Sequence, residues 1–226
     1  MLGTETVMSD LIIRNETEKD YTIVEEMTRE AFWNLYVPGC DEHYLVHTMR
    51  GHEDYIPALD LVAEADGKIV GNIMYTKARL IDEAGNEKPI LTFGPLCVRP
   101  GYQREGIGKE LLRISFDKAL AMGYDTVVIF GNPANYVARG FKSCMRFNVC
   151  IEGGIFPSAM LVKELKPGVF DGRRWFYRES PVYHFDQRKV EEYDRRFPAK
   201  EKESKPHQEE FFIHSHSTLT ADPTTP

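Results

Sequence analysis

Basic residues are scarce in this sequence, which has 28 lysines and arginines against 35 aspartates and glutamates, a formal net charge of −7. Proteins that bind the phosphate backbone of nucleic acid need clustered lysine and arginine, so this deficit argues against a nucleic-acid partner. Long apolar runs are also missing, because no stretch approaches the roughly 18–20 residues that span a bilayer. Met1 to Asp10 lack the basic and apolar regions of a secretion signal. We therefore expect no membrane partner.

Cysteine is sparse as well, with four residues, at positions 40, 97, 144 and 150. None forms a Cys-x-x-Cys pair, and four thiols are too few for a disulfide scaffold in 226 residues. Apolar residues make up 42% of the chain and charged residues 28%, an ordinary balance that can fill a sizeable core. The sequence therefore predicts a reduced, cytoplasmic enzyme or binding protein.

The first part of the chain predicts one strand and two helices. The strand is Leu11 to Arg14, and Thr17 and Asp20 after it resemble a capping box that starts a helix. Apolar residues then recur three and four positions apart as far as about Trp33, with one face formed by Ile23, Val24, Met27 and Ala31. A shorter helix is predicted from Asp41 to Met49, with a buried face formed by Leu45, Val46 and Met49.

The middle of the sequence changes to strands. Asp66-Gly67 is a strong hairpin signal, because both central positions of such a turn adopt positive φ. Strands are predicted on either side of it, from Leu59 to Ala65 and from Lys68 to Leu80, and a further one from Ile90 to Val98. A helix is predicted from Gly108 to Met122, with an apolar face formed by Leu112, Phe116, Ala119 and Leu120.

The later strands complete the predicted sheet. Thr126 to Phe130 is an apolar and β-branched run, typical of a strand covered on both faces. A short helix after Pro133 and strands from Phe141 to Val149 and from Ala159 to Leu165 are predicted to follow. Hairpins followed by one strand–helix–strand crossover indicate an α/β (α+β) fold, a mixed and mostly antiparallel sheet with helices on both faces.

The composition changes after Lys166. The predicted segments are an N-terminal lead (1–10), the main domain (11–166), an aromatic and helical extension that packs on the domain (167–198) and a polar tail (199–226). The extension contains the aromatic runs Trp175 to Tyr177 and Tyr183 to Phe185 and a helical pattern from Val190 to Phe197. The tail is rich in Lys, Glu, Ser, Thr and Pro, so we expect it to be largely mobile unless its apolar triplet, Phe211 to Ile213, docks.

The segment best suited to bind a ligand lies between the strand that ends at Val98 and the helix that begins near Gly108. Gly106 and Gly108 leave the backbone N–H groups at this helix N-terminus accessible, and such groups bind phosphate or pyrophosphate. A dinucleotide-binding fingerprint needs a third glycine, but Leu111 stands in its place. A P-loop needs Ser or Thr after Gly108-Lys109 and a glycine where Gln103 stands, so both of these motifs are excluded.

This loop instead resembles that of the GNAT superfamily of N-acetyltransferases, whose pyrophosphate loop is Gln/Arg-x-x-Gly-x-Gly/Ala. The matching residues are Gln103, Gly106 and Gly108, and the preceding segment from Gly94 to Pro100 resembles the family's fourth strand. The segment from Asn132 to Phe141 is similar to the family's second signature. The resemblance covers roughly Leu11 to Leu165 and is strongest to a YhbS-like bacterial branch.

The resemblance implies acetyl-CoA as cofactor and a fourth strand that splays away from the fifth. The backbone of Leu96, Cys97 and Val98 would align the pantetheine arm, and an N–H at Cys97 or Val98 would polarise the acetyl carbonyl. The pyrophosphate would be held by the loop and first helical turn formed by Gln103, Arg104, Glu105, Gly106, Ile107, Gly108 and Lys109. Asn132 and Asn135 would bond the pantetheine amides.

Tyr136 matches the family's general-acid tyrosine, and a phenol with a reference pKa of about 10 can protonate a leaving thiolate. The general base stays open: Glu30, Glu53 and Asp54 border the acceptor cleft in this fold, although each also fits an exposed surface charge. Some family members use a water chain instead.

Other residues that could bind a metal, react with the acyl group or line the acceptor pocket have a simpler structural explanation. His43 and His47 are four residues apart with His52 nearby, but no further ligand is indicated, so we expect no metal site. Cys97 suits an acyl-cysteine or, more commonly, a small buried side chain. Trp33, Tyr36 and Tyr44 either line the acceptor pocket or pack helix against sheet.

The expected function is transfer of an acetyl group from acetyl-CoA to a primary amine, with Tyr136 as acid, by direct transfer in a ternary complex. Small-molecule, peptide and protein amines all remain open as acceptors, and a homodimer is one expected assembly. The alternative is a non-catalytic acyl-CoA-binding or regulatory module that retains the cofactor loop.

Overall fold

The structure of the protein, a computed structural model, describes residues 11–220. The predicted N-terminal lead (1–10) and the end of the tail (221–226) lie outside the described residues. The strands are β1 (Ile12–Asn15), β2 (Leu61–Ala65), β3 (Lys68–Asp82), β4 (Glu87–Val98), β5 (Thr126–Phe130), β6 (Lys142–Ser143), β7 (Val149–Cys150), β8 (Phe156–Pro157), β9 (Met160–Glu164), β10 (Trp175–Arg178) and β11 (Thr218–Leu219). The helices are α1 (Tyr21–Phe32), α2 (Glu42–Met49), α3 (Ile107–Ala121), α4 (Pro133–Tyr136), α5 (Gln187–Asp194) and α6 (Pro206–His216).

One sheet organises the domain, with the strand order β1-β2-β3-β4-β5-β9-β6. Neighbours along this path are antiparallel except β4 and β5, which run parallel because α3 crosses over between them. The predicted hairpin joins β2 to β3, and φ is 51° at Asp66 and 69° at Gly67. The predicted mixed, mostly antiparallel sheet is confirmed.

The two faces of the sheet carry different helices, because successive side chains of a strand point to opposite sides. On one face, Leu61 and Ile73 are buried in a cluster with Leu111 and Leu112 of α3. On the other face, a second cluster brings strands and the first two helices together through Val62, Met74, Val24, Met27, Val46 and Met49. Helices on both faces were predicted, and this is confirmed.

Two apolar residues assigned to buried helix faces are exposed instead. Ile23 of α1 is 42% exposed and Leu120 of α3 is 40% exposed, so these two predictions were wrong. The buried residues of α3 are Ile107, Leu111, Leu112, Ser115 and Ala119. This stripe passes through Ala119, and a helix turns about 100° per residue, so Leu120 points away from it.

The strand predicted from Phe141 to Val149 does not form as one element. Only Lys142–Ser143 pairs with β9, after which the chain turns through a 3-10 helix from Cys144 to Phe147. The Ser143 hydroxyl caps that turn by accepting a hydrogen bond from the Met145 N–H at 3.3 Å, and Asn148 ends it with φ of 54°. The single-strand prediction was therefore wrong, because local capping favours a turn.

The segment after Lys166 contacts the domain at several points. β10 pairs with β3 from Arg79 to Asp82, on the edge that β2 leaves free. Tyr193 of α5 donates a hydrogen bond to Glu25 at 2.6 Å, and Arg29 forms an ion pair with Asp194 at 2.6 Å.

Composition predicted mobility for the tail, but its described part forms α6 and β11. Phe211 stacks on Tyr36, whereas Phe212 and Ile213 are exposed, so one member of the triplet docks. The carbonyl oxygen of Glu201 also accepts hydrogen bonds from the side chains of Trp33 at 2.8 Å and Asn34 at 3.0 Å. These contacts attach the tail to the loop between α1 and α2.

Candidate functional site

β4 and β5 diverge along the sheet, as predicted. Within residues 11–220 they pair at a single position, Leu91 with Val127. Further along, the register between β3 and β4 shifts by one residue where β4 passes through Gly94-Pro95. A bulge of this kind bends a strand and increases its twist. The edge of β4 from Leu96 to Val98 therefore borders a cleft instead of a neighbouring strand.

The cleft holds a cavity of about 440 Å³. Three predicted groups line it: residues 96–98 of β4, the loop and first turn of α3, and the α4 residues Asn135 and Tyr136. Residues of α1 and of the loop after it complete the walls. Of the predicted loop and first-turn residues, Gln103, Arg104, Gly106, Ile107, Gly108 and Lys109 line the cavity. Residues far apart in sequence thus meet around one space.

Two predicted residues do not line this cavity. Glu105 is exposed on the loop. The side-chain oxygen of Asn132 accepts a hydrogen bond from the Ala134 N–H at 3.0 Å and so caps α4. A contact between either residue and a cofactor stays a prediction.

The beginning of α3 presents backbone donors to the cavity. Gly106 precedes the helix with φ of 88°, a left-handed conformation that favours glycine, and the space beside its α-carbon is open. The N–H groups of the first helical turn have no acceptor within the helix, and the helix dipole makes this end positive. Lys109 and Arg139 also line the cavity and add positive charge. The surroundings suit a diphosphate anion.

Tyr136 lies where the large cavity meets a smaller one and lines both. Its ring packs between Phe93 and Phe141, with centroids 5.7 Å away in each case. A Cβ atom added at Gly131 would lie 2.7 Å from the ring, so glycine is required for this packing. Burial, with a smaller contribution from Tyr36, raises the pKa of Tyr136 above its ordinary value. The phenol is therefore protonated at neutral pH.

Cys97 lines the large cavity but is only 3% exposed. Its sulfur lies 3.4 Å from the Thr28 hydroxyl. Burial raises the pKa of the Cys97 thiol to about 11. A thiol that stays protonated is a poor nucleophile, so this environment favours the structural explanation for Cys97.

The smaller cavity, of about 170 Å³, continues from the large one towards the N-terminus of α2. Tyr36 lines both cavities, whereas Trp33 and Tyr44 line neither. A role for Tyr36 in binding the acceptor stays a prediction. The carboxylate that borders the smaller cavity is Glu42, the first residue of α2. Glu42 was not predicted from the sequence, because nothing in the local pattern separates it from its neighbour Asp41.

The three base candidates lie elsewhere. Glu30 forms an ion pair with Arg99 at 3.0 Å, and neither it, Glu53 nor Asp54 lines either cavity. Asp54 lies 3.7 Å from His52, and Glu53 contributes its backbone carbonyl oxygen to Lys77 at 3.0 Å. These contacts fit the alternative of surface charges.

The histidines of α2 contact protein groups. His43 is buried, with its Nε2 atom 3.1 Å from Asp194, and His47 lies 3.2 Å from Glu25. The described range contains no group of three or more His, Cys, Asp or Glu residues that could hold a metal ion.

None of the helices within residues 11–220 has the length and hydropathy needed to traverse a bilayer.

Comparison with known families identifies the family of this chain. The Acetyltransferase (GNAT) family model matches residues 25–143, just over half of the chain. The chain belongs to this GNAT family. The acyl donor of GNAT enzymes is acetyl-CoA, and the splayed strands and helix N-terminus described above are present in this GNAT chain.

Two curated relatives from Escherichia coli K12 carry names of the same kind. The chain is 36% identical to "Uncharacterized N-acetyltransferase YjhQ" over 101 residues, which are 44% of this chain and 55% of YjhQ. It is 29% identical to "Uncharacterized N-acetyltransferase YhbS" over 133 residues, which are 58% of this chain and 74% of YhbS. The chain thus spans about half the length of YjhQ. These matches confirm the YhbS-like resemblance.

Two solved structures share the GNAT fold. The E. coli YhbS structure in complex with CoA has a TM-score of 0.66 and 24% identity, covering 78% of this chain and 93% of that one. A Brucella melitensis GNAT acetyltransferase in complex with acetyl-CoA has a TM-score of 0.60 and 22% identity, covering 77% and 99%.

Proposed function

We propose that this GNAT chain transfers an acetyl group from acetyl-CoA to a primary amine, directly and within a ternary complex. The observation that carries the proposal is the 440 Å³ cavity, because it joins the exposed edge of β4, the N-terminus of α3 and Tyr136 around one space. Acetyl-CoA supplies a thioester, whose acetyl carbon the amine nitrogen attacks. The residues around the cavity supply binding, orientation and a proton.

The first turn of α3 is proposed to hold the pyrophosphate. Backbone N–H groups from Arg104 to Lys109 bind phosphate oxygens, and the positive end of the helix favours the anion. Gln103 supports the loop, because its side-chain amide donates a hydrogen bond to the Val98 carbonyl oxygen at 3.1 Å. Lys109 and Arg139 both line the cavity and add positive charge.

The edge of β4 is proposed to align the pantetheine arm. Leu96, Cys97 and Val98 line the cavity where β5 no longer pairs. An N–H at Cys97 or Val98 polarises the acetyl carbonyl and stabilises the negative charge that develops on its oxygen. Asn135 lines the same cavity and bonds a pantetheine amide.

Tyr136 is proposed as the general acid. The carbon–sulfur bond breaks as the carbon–nitrogen bond forms, and the phenol gives its proton to the sulfur. Burial keeps the phenol protonated until that step. Direct transfer needs no cysteine nucleophile, which agrees with the raised pKa of Cys97.

The experiment combines acetyl-CoA binding with turnover in the full chain. Calorimetry should detect acetyl-CoA binding, and release of free thiol should accompany transfer to a good amine. Tyr136→Phe should bind acetyl-CoA normally and lose about 100-fold or more in kcat, the range expected for a general acid. Tyr44→Phe is the matched control, because Tyr44 lines neither cavity.

Each outcome separates the alternatives. Binding without thiol release for any amine would favour the non-catalytic acyl-CoA-binding module. Undiminished transfer by Tyr136→Phe would remove Tyr136 as the acid, and absence of binding would overturn the proposal altogether. The cytoplasmic location, the homodimer and the choice among small-molecule, peptide and protein amines stay predictions.

A further inference from the structure

We propose that the smaller cavity binds the acceptor, that Glu42 receives the acceptor's ammonium group and takes its proton, and that the acceptor is a primary amine on a compact apolar or aromatic body. This inference rests on the proposed acetyl transfer. It goes further in naming the base and the substrate class.

The position of the smaller cavity is the first argument. The residues that line both cavities are Phe32, Tyr36, Leu96 and Tyr136, so the two spaces meet beside the proposed acid. An amine in the smaller cavity therefore approaches the thioester from the side opposite the pyrophosphate cradle. Direct transfer requires this arrangement, because amine and acetyl group must meet in one complex.

The chemistry of the walls is the second argument. Apart from Glu42, the smaller cavity is bordered by apolar and aromatic side chains and by Gly94 and Gly131. The aromatic side chains that line it are Phe32, Tyr36, Phe93, Phe130 and Tyr136. One carboxylate in such surroundings matches one ammonium group attached to an apolar body. A second charge on the acceptor would be buried without a partner, which is costly.

A backbone hydrogen bond orients the Glu42 carboxylate. Its Oε2 atom accepts a hydrogen bond from the Asp41 N–H at 3.1 Å, which orients the carboxylate at the beginning of α2. Burial, with a smaller contribution from the Glu42 charge, raises the pKa of the Tyr36 phenol. Glu42, Tyr36 and Tyr136 all line the smaller cavity, so the proposed base and the proposed acid border one space.

The pKa of Glu42 suits proton transfer near neutrality. Burial raises it to about 7, against opposing hydrogen bonds from backbone N–H groups, and Asp41 adds a smaller upward contribution. Tyr36 and Cys40 from the preceding loop also lie within the reach of the Glu42 charge. Other charged groups also pack on α2: Asp194 of α5, which pairs with Arg29, contacts His43, and Glu25 of α1 contacts His47.

Each proton that moves in the proposed transfer has a donor and an acceptor. The ammonium group gives one proton to the Glu42 carboxylate, and the neutral nitrogen forms its bond to the acetyl carbon while the carbon–sulfur bond breaks. Tyr136 gives a proton to the sulfur, and the second nitrogen proton restores the phenol through solvent. Glu42 then releases its proton to water. The products are the N-acetylated amine, free coenzyme A and one proton.

The test measures transfer from acetyl-CoA to 2-phenylethylamine in the full chain across pH 5.5–9. For the unaltered protein, kcat/KM should rise with pH, with a midpoint near 7, because only the deprotonated Glu42 accepts a proton. Glu42→Gln should lower kcat/KM by about 100-fold, as expected for loss of a general base, and should remove this limb of the profile. Glutamine can still accept the Asp41 hydrogen bond, and calorimetry should show unchanged acetyl-CoA binding.

Glu30→Gln is the matched control, because Glu30 is a rival carboxylate that lines neither cavity. Its rate and pH profile should stay those of the unaltered protein. An unchanged profile in Glu42→Gln would overturn the assignment of Glu42 while leaving acetyl transfer intact. If the unaltered protein binds acetyl-CoA but acetylates no amine, the proposed function itself fails.

The substrate class is tested with a small panel of acceptors. 2-Phenylethylamine and cyclohexylmethylamine should give kcat/KM values at least about tenfold above those of spermidine and glycinamide, because they bury apolar surface and carry one charge. Equal or higher values for spermidine would overturn the proposed substrate class. The neutral 2-phenylethanol should not inhibit as well as 2-phenylethylamine binds, and equal affinity would argue against an ammonium site at Glu42.

Discussion

The ring of Tyr36 stacks on the ring of Phe211, with centroids 4.2 Å apart and ring planes 26° from parallel. Tyr36 lines both cavities, whereas Phe211 belongs to α6 near the end of the chain. The loop between α1 and α2, which contains Tyr36, is also held by hydrogen bonds from His207 and Gln208 to the Asn34 carbonyl oxygen, at 3.2 Å and 3.1 Å. The C-terminal helix therefore supports one wall of the proposed acceptor site.

Phe211→Ala should raise the KM for the amine by about 3- to 10-fold, because an aromatic pair of this kind contributes about 0.5–1.5 kcal/mol. Tyr36 would lose the ring that fixes its position, and the acceptor pocket would be less well formed. Affinity for acetyl-CoA should change little, since the cradle lies at the beginning of α3. Steady-state kinetics with each substrate varied in turn would measure both effects.

Phe212→Ala supplies the control on the same helix. Phe212 is 54% exposed and stacks on His216 rather than on Tyr36. Its replacement should leave both KM values unchanged. If the two variants behaved alike, the contact between Phe211 and Tyr36 would have no particular role in acceptor binding.

Patterns that are local in sequence predicted most of the central fold. The Asp66-Gly67 turn, the β-branched run of β5 and the helix after Gly108 each depend on neighbouring residues, and each forms where expected. The strand predicted over residues 141–149 failed because Ser143 caps a turn, and a hydroxyl's choice of hydrogen-bond partner is not visible in apolar periodicity.

The cofactor side of the site was more predictable than the acceptor side. Glycine spacing in the loop after Val98 reports directly on the conformation that exposes backbone N–H groups. Glu42 and Tyr36 gain their position from the packing of the α1–α2 loop against β4 and, for Tyr36, against Phe211. No short-range pattern records such contacts, and the tail's composition gave no sign that α6 would supply one.

Gly131→Ala should lower kcat by about 10- to 100-fold, because the added Cβ would lie 2.7 Å from the Tyr136 ring. Phe93 and Phe141 pack against that ring, so it would have to shift away from the cavity junction. Misplacement of a catalytic group by about 1 Å is enough to cost about 100-fold in rate. Binding of acetyl-CoA by calorimetry should be retained.

Gly51→Ala is the matched control for Gly131, since its added Cβ would lie 3.9 Å from the nearest atom, an ordinary contact. Its kcat should equal that of the unaltered protein. A Gly131→Ala variant with full activity would show that the position of the Tyr136 ring is not important for turnover.

Lys109→Met should weaken acetyl-CoA binding by about 3- to 10-fold and reduce the dependence of the dissociation constant on salt. The side chain lines the large cavity next to the proposed pyrophosphate site, and a lost cation no longer attracts the anion. Arg113→Met on the same helix is the control, because Arg113 pairs with Glu110 and Asp117 outside the cavity. Equal losses in both variants would indicate a general charge effect instead of a specific contact.

Asp82→Asn should destabilise the fold at neutral pH and flatten the loss of stability in acid. Hydrogen bonds from Asn86, with help from Arg173 and the Ala84 N–H, hold the pKa of Asp82 at about 2, below its usual value near 4. A lowered carboxyl pKa contributes stability above about pH 4, and this contribution is lost as pH falls towards 2.

Urea unfolding at pH 7, 4 and 2.5 would measure the free energy of unfolding, with Glu83→Gln as the exposed neighbouring control. The Asp82 network joins the β3–β4 turn to Arg173. If the free energy of unfolding changed with pH in the same way in Asp82→Asn and in the unaltered protein, this network would not stabilise the fold.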